Sequence, residues 1–147
     1  MPRIAIRFKL TVMATGYSGK PLHQKLGLQS GQRVCVIQSP EDYQRLIEGP
    51  VPGLTIVTTP RGKLDVAHIF ETDAARLQSK LPALMKAIAP NGTIWVSWPK
   101  KSSRVPTDIT EDTVRRVALP MGLVDVKVCA VNDVWSGLKL VIRKENR

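Results

Sequence analysis

A chain of 147 residues with 43% hydrophobic content can close one domain around its own core, and no apolar run approaches the ~18 residues that a membrane helix needs. Twenty-two basic side chains against twelve acidic ones give a net charge of +10. The excess is local: residues 1–40 and 74–107 hold twelve basic side chains and no acid, which makes an anionic small molecule or a nucleic acid the expected partner and a membrane an unexpected one.

Residues 3–12 alternate, with Ile4, Ile6, Phe8, Leu10 and Val12 set between polar neighbours, which is the period of a strand. Arg7 and Lys9 interrupt any signal-peptide core. Residues 1–14 therefore read as an extension that adds an edge strand, or as sequence upstream of a start at Met13-Ala14. Residues 15–147 read as a single domain. Residues 15–30 are turn-rich, with a short helical piece around Leu22 to Leu26. Arg33–Gln38 suits a buried central strand. Ser39 as N-cap, Pro40 at the first helical position and two following acids predict a helix stopped by Gly49-Pro50.

Leu54–Thr59 and Leu64–Phe70 are strands separated by only Pro60–Lys63, too short for a helical crossover. They are either an antiparallel pair or lie apart in the sheet. The second arrangement is expected, because strand 33–38 can sit between them. Leu77, Leu81, Leu84 and Ile88 give the next helix its apolar face, with Thr72 as a cap and Pro82 as a kink or restart. Thr93–Trp98 returns as a strand after the Pro90-Asn91-Gly92 turn. Asp108 and Glu111 form a capping box for a helix to about Leu119. Leu123–Val131 and Val134–Arg143 make a hairpin turning at Asn132-Asp133. The two cysteines, Cys35 and Cys129, lie in apolar runs with no zinc spacing. They read as free, buried thiols of a cytoplasmic protein that holds no metal.

The second half, with its Ala-Pro-Asn-Gly turn and terminal hairpin, resembles class I S-adenosylmethionine-dependent methyltransferases. From about residue 16 the chain resembles the bacterial family called domain of unknown function 3052, through Tyr17-Ser18-Gly19-Lys20-Pro21-Leu22, Lys25-Leu26-Gly27, Asn91–Trp95, Trp98-Pro99-Lys100 and Asp133–Leu138. The resemblance implies an α/β, reduced Rossmann-like fold, with a mostly parallel sheet, a C-terminal antiparallel hairpin and helices on both faces. It brings no activity with it.

The cofactor features of methyltransferases are missing from the first half. Where a Gly-rich turn should follow the first strand stands Gln38-Ser39-Pro40, whose side chains would fill the cofactor's space. Where an acid should close the second strand stand Thr58-Thr59-Pro60. S-adenosylmethionine is therefore disfavoured, and an active methyltransferase with an atypical pocket is the enzymatic alternative.

Two loops are the candidate anion site. Tyr17, Ser18, Gly19 and Lys20 make a small turn of hydroxyls, glycine and ammonium, or else a plain surface loop. Trp98, Lys100, Lys101 and Arg104 follow a parallel strand, where ligands of open α/β sheets collect, or else form a solvated basic loop. Trp135 and Ser136 at the hairpin could cover a pocket, although Trp135 also reads as a core anchor. Gly137 suggests a close backbone approach. His68 reads as structural, and His23 as a weak addition to the first loop. No Ser-His-Asp set or G-x-S-x-G elbow supports a hydrolase.

Overall fold

The computed structural model describes residues 19–147. The strand expected at 3–12, the start at Met13-Ala14, and Tyr17 and Ser18 lie outside the described residues.

One helical turn, α1 (Leu22–Lys25), precedes β1 (Arg33–Ile37). A second turn, α2 (Tyr43–Leu46), leads to β2 (Thr55–Val57) and then β3 (Leu64–Phe70). Helix α3 (Ala74–Ala87) leads into β4 (Ile88–Pro99), and α4 (Glu111–Ala118) into the strands β5 (Leu123–Ala130) and β6 (Trp135–Ile142). The six strands lie in the order β2-β1-β3-β4-β6-β5. β2, β1, β3 and β4 are parallel, while β6 runs antiparallel to both β4 and β5. β1 does separate β2 from β3, so the short link 58–63 carries the chain past it without a helix.

Alternation along the strands divides the interior into two layers. Cys35, Ala67, Ile69, Ile94, Val96, Trp98, Leu138 and Leu140 face α3 and α4, where Leu77, Leu81, Leu84, Val114 and Ala118 meet them. Val34, Val36, Val66, Phe70 and Trp95 face the other way, under Leu22 of α1, Leu26 just after it, and Tyr43 and Leu46 of α2. Burying each large side chain contributes roughly 1.5–3 kcal/mol, so the longer helices anchor the first layer more firmly than two single turns anchor the second.

Several local expectations change. The cap of α2 is Asp42, whose carboxylate accepts from Arg45 N at 3.2 Å, while Ser39 Oγ turns to Glu41 O. Asp73 rather than Thr72 caps α3. Helix α3 runs through Pro82 without a restart. Its buried leucines outweigh the ~3 kcal/mol cost of an interior proline. Ile88 is buried but already belongs to β4.

Asp108 does not cap α4. Thr110 does, in a reciprocal pair with Thr113, and Asp108 instead accepts from Ala74 N at the start of α3. The Pro90-Asn91-Gly92 segment is a bulge inside β4, where Leu64 pairs with Ile88 and Val66 with Thr93. Gly92 is required there, because a Cβ would sit 2.9 Å from Ala89 O and 3.0 Å from Asp65 O.

Candidate functional site

In an open parallel sheet the binding crevice lies beyond the strand carboxyl ends, where successive connections leave in opposite directions. Here that point is between β1 and β3. β1 leads through α2 to β2 on one side, while β3 leads through α3 to β4 on the other.

The chain's own side chains bridge this crevice. Gln38, immediately after β1, adopts a left-handed backbone (φ 60) and directs Nε2 across to Phe70 O at 2.8 Å and Glu71 Oε1 at 3.1 Å. Glu71 is the residue after β3, and only 1% of its side chain is exposed. Its carboxylate also accepts from Lys80 Nζ (3.0 Å), Arg76 Nε (3.1 Å), Thr72 N (3.0 Å) and Asp73 N (3.2 Å). Burial alone would raise the Glu71 pKa. The bonds from Lys80, Thr72, Arg76 and Asp73 outweigh it and hold the group below the usual carboxylate range. The carboxylate is fully engaged and not a free acid or base.

Beneath the bridge lies a buried polar triad. Tyr43 Oη is 2.7 Å from His68 Nδ1, and His68 Nε2 is 2.8 Å from Ser97 Oγ. The ring stacks on Phe70 at a centroid distance of 4.2 Å. Complete burial disfavours the imidazolium and lowers the His68 pKa to about 3, so the imidazole is neutral at ordinary pH. Burial likewise pushes the Tyr43 phenol up. His68 is structural, as its sequence context predicts.

On the β2 side of the bridge is an open cleft of about 690 Å³, lined by Gln38, Ser39, Glu41, Asp42, Tyr43 and Thr58 together with apolar atoms of β1 and β2. The carboxylates in its wall are Glu41 and Asp42. No acid closes β2.

On the β4 side lies the basic loop. Its backbone is fixed: Lys100 N donates to Val134 O (2.7 Å), Ser103 Oγ to Lys100 O (2.6 Å), and Val105 N to Ser103 Oγ (3.2 Å). Further along, Thr107 Oγ1 and Asp108 N both donate to Thr72 O. Lys101 and Arg104 are exposed and Lys100 half-buried, and among the described residues none of the three meets a carboxylate.

Among the described residues, those predicted for the site fall on different faces of the sheet. Trp98 cannot offer an open wall, because only 6% of it is exposed and it packs in the α3–α4 layer. Trp135 lies on the opposite layer, edge-on to Phe70 at 5.4 Å, as an anchor. Ser136 is paired with Trp98, and Gly137 lets Val131 and Trp95 approach as its strand context predicts. Gly19 and Lys20 are exposed just before α1, and half-buried His23 is bonded through its backbone to Ile47. The Gln38–Glu71 bridge is the feature that the sequence reading missed. Its only sequence signal is a glutamate directly after a buried strand, followed by a basic residue on the first turn of the next helix.

The architecture is shared with known proteins. TrmN from Thermus thermophilus aligns over 83% of this chain and 47% of its own, with a TM-score of 0.55 and 11% identity. A SAM-dependent methyltransferase from Aquifex aeolicus aligns over 81% of this chain and 86% of its own (TM-score 0.53, 12% identity). N-methyltransferase NodS from Bradyrhizobium japonicum WM9 aligns over 87% of this chain and all of its own length (TM-score 0.51, 12% identity). The chain thus spans about half the length of TrmN. These likenesses show a methyltransferase-like, Rossmann-like fold. In sequence, no protein-family model and no curated protein matches. Among the described residues no helix is long and apolar enough to cross a membrane, and no group of His, Cys, Asp and Glu is arranged to hold a metal.

Proposed function

We propose that this methyltransferase-like domain, of the kind called domain of unknown function 3052, binds an anionic small molecule or partner at the carboxyl-end face of its sheet, and does not hold S-adenosylmethionine in the ordinary way. The observation that carries this reading is the loop at the end of β4. Its backbone is held by five hydrogen bonds, while among the described residues Lys100, Lys101 and Arg104 meet no carboxylate. Ordering a loop before the ligand arrives removes an entropic cost of binding, and unpaired cations on such a loop favour an anion. Lys20 adds a further cation ahead of α1.

The residues present do not fit the ordinary cofactor. Gln38 and Glu71 occupy the crevice, no glycine follows β1, and no carboxylate follows β2. One observation favours the enzymatic alternative: the 690 Å³ cleft beside β2, within the size range of small-molecule sites, has the Glu41 and Asp42 carboxylates in its wall.

A thermal-shift comparison separates the two readings, because a ligand that binds only the folded state stabilises it by an amount that grows with the logarithm of its concentration over its dissociation constant. Tripolyphosphate should raise Tm in the wild type and not in a Lys100→Glu, Lys101→Glu, Arg104→Glu variant, while S-adenosylmethionine should leave Tm unchanged. A rise with S-adenosylmethionine alone overturns the proposal in favour of the methyltransferase.

A further inference from the structure

A second basic feature lies away from the carboxyl-end loop, on the sheet face opposite α4. The ladder places Lys127 of β5 directly opposite Lys139 of β6, and Lys139 in turn opposite Trp95 of β4. Directly opposed residues of an antiparallel pair share one face, with Cβ atoms about 4.5–5.5 Å apart, and like charges so placed are destabilising. Lys127 is exposed and Lys139 half-buried.

Among the described residues no carboxylate forms an ion pair with either lysine. The nearest carboxylate on the strand, Asp125, is paired with Leu140 on the other face, where Arg115 Nε donates to it at 2.8 Å. The register shift between Asp125 and Lys127 is what separates the two charges onto opposite faces. Around the pair the face is half-exposed and mostly uncharged: Thr93, Val124, Cys129 and Val141. Lys25 reaches its margin from α1, with Nζ 3.0 Å from Ala130 O. Lys25 and Lys127 both act on the Cys129 thiol, although burial wins and leaves its pKa raised.

A sheet that sets two lysines against each other without a counter-charge breaks a local stability rule, and such breaks concentrate at functional positions. A phosphate diester lying across the two strands would accept from both ammonium groups and remove the repulsion. The aromatic ring on this face, Trp135 of β6, is half-buried and packed edge-on against Phe70. Such a surface fits contact with a charged backbone and not with bases.

We propose that the Lys127–Lys139 face binds the phosphodiester backbone of a nucleic acid without regard to sequence. This site is separate from the loop at the end of β4 and does not depend on it.

The test is fluorescence anisotropy with a short labelled DNA duplex and the full chain, from about 50 to about 200 mM salt, where backbone contacts show as a steep loss of affinity. The wild type should bind at the low-salt end. The Lys127→Gln, Lys139→Gln double variant should bind at least tenfold more weakly, with a log–log salt slope shallower by about 2. Its Tm should be equal or higher, since a repulsion has been removed. Should the double variant unfold, Lys127→Gln alone, at an exposed position, should make the slope shallower by about 1. The Lys100→Glu, Lys101→Glu, Arg104→Glu variant, compared with and without the two glutamines, should show the same difference in slope. Absence of duplex binding by the wild type at about 50 mM salt, or an unchanged slope in the glutamine variants, overturns the proposal.

Discussion

Two neighbouring regions at the carboxyl end of the sheet follow opposite electrostatic rules. Between β1 and β3 every polar group is engaged: Gln38 crosses to Phe70 and Glu71, Glu71 takes five donors, and His68 is held from both sides by Tyr43 and Ser97. At the end of β4 the reverse holds, because the backbone is satisfied while the side chains of Lys100, Lys101 and Arg104 point to no carboxylate. The first region therefore stabilises the fold, and the second is left free to meet something else. Within a methyltransferase-like frame, Gln38 and Glu71 bridge β1 and β3, and the cations without a carboxylate partner lie one strand away, after β4.

That contrast predicts very different costs of mutation. The largest belongs to His68. Replacing it with Leu leaves the Tyr43 and Ser97 hydroxyls buried without their partner and should cost about 2–4 kcal/mol in urea unfolding. The same residue governs acid sensitivity. Its folded pKa, about 3, lies below the unfolded value near 6.5, so the unfolded state binds more protons as pH falls. Stability is fully present above about pH 6.5 and is lost progressively down to about pH 3. Lowering the pH from 7 to 5 should remove about 2 kcal/mol through this group, and a His68→Gln variant should lack that part of the pH dependence.

Next is Glu71→Ala. It deprives Gln38 and two backbone amides of their acceptor and should cost about 2–3 kcal/mol. The loss is moderated because Arg76 and Lys80 are exposed enough to turn to water. Gln38→Gly should fall within about 1 kcal/mol of wild type, since relief of the left-handed backbone offsets the lost bridge. Smallest are Lys101→Glu and Arg104→Glu, expected within about 0.5 kcal/mol of wild type by thermal unfolding. If the loop variants proved as costly as those at Glu71, the distinction between the two regions would collapse.

Much of the frame was legible from residue order alone. The link between β2 and β3 was too short for a helical crossover and left either an antiparallel pair or strands lying apart; the second, with β1 between them, is what the sheet shows. The Asn132-Asp133 turn marked the hairpin, where Asn132 Oδ1 accepts from Val134 N and Trp135 N. Helix ends were harder to read, because Asp42, Asp73 and Thr110 compete with near neighbours of equal capping ability and tertiary position decides among them.

The site was legible in part. The absence of glycine after β1 pointed to side chains in the cofactor's space; there Gln38 crosses to Phe70 and Glu71, while an open cleft remains on its β2 side. The identity of its partner was hidden, since Glu71 lies 33 residues away and only strand pairing brings the two together. Trp98 was misread because a tryptophan at a strand end serves a wall or a core equally well. Its side is set by the alternation of β4, which turns it toward α3 and α4.

The most direct test of the central claim is a calorimetric titration of the full chain with tripolyphosphate, for the wild type and for the Lys100→Glu, Lys101→Glu, Arg104→Glu variant. The account predicts measurable binding by the wild type and at least a tenfold loss in the variant, with an unchanged urea midpoint. Equal affinity in the two proteins, or no heat of binding in the wild type, would contradict it.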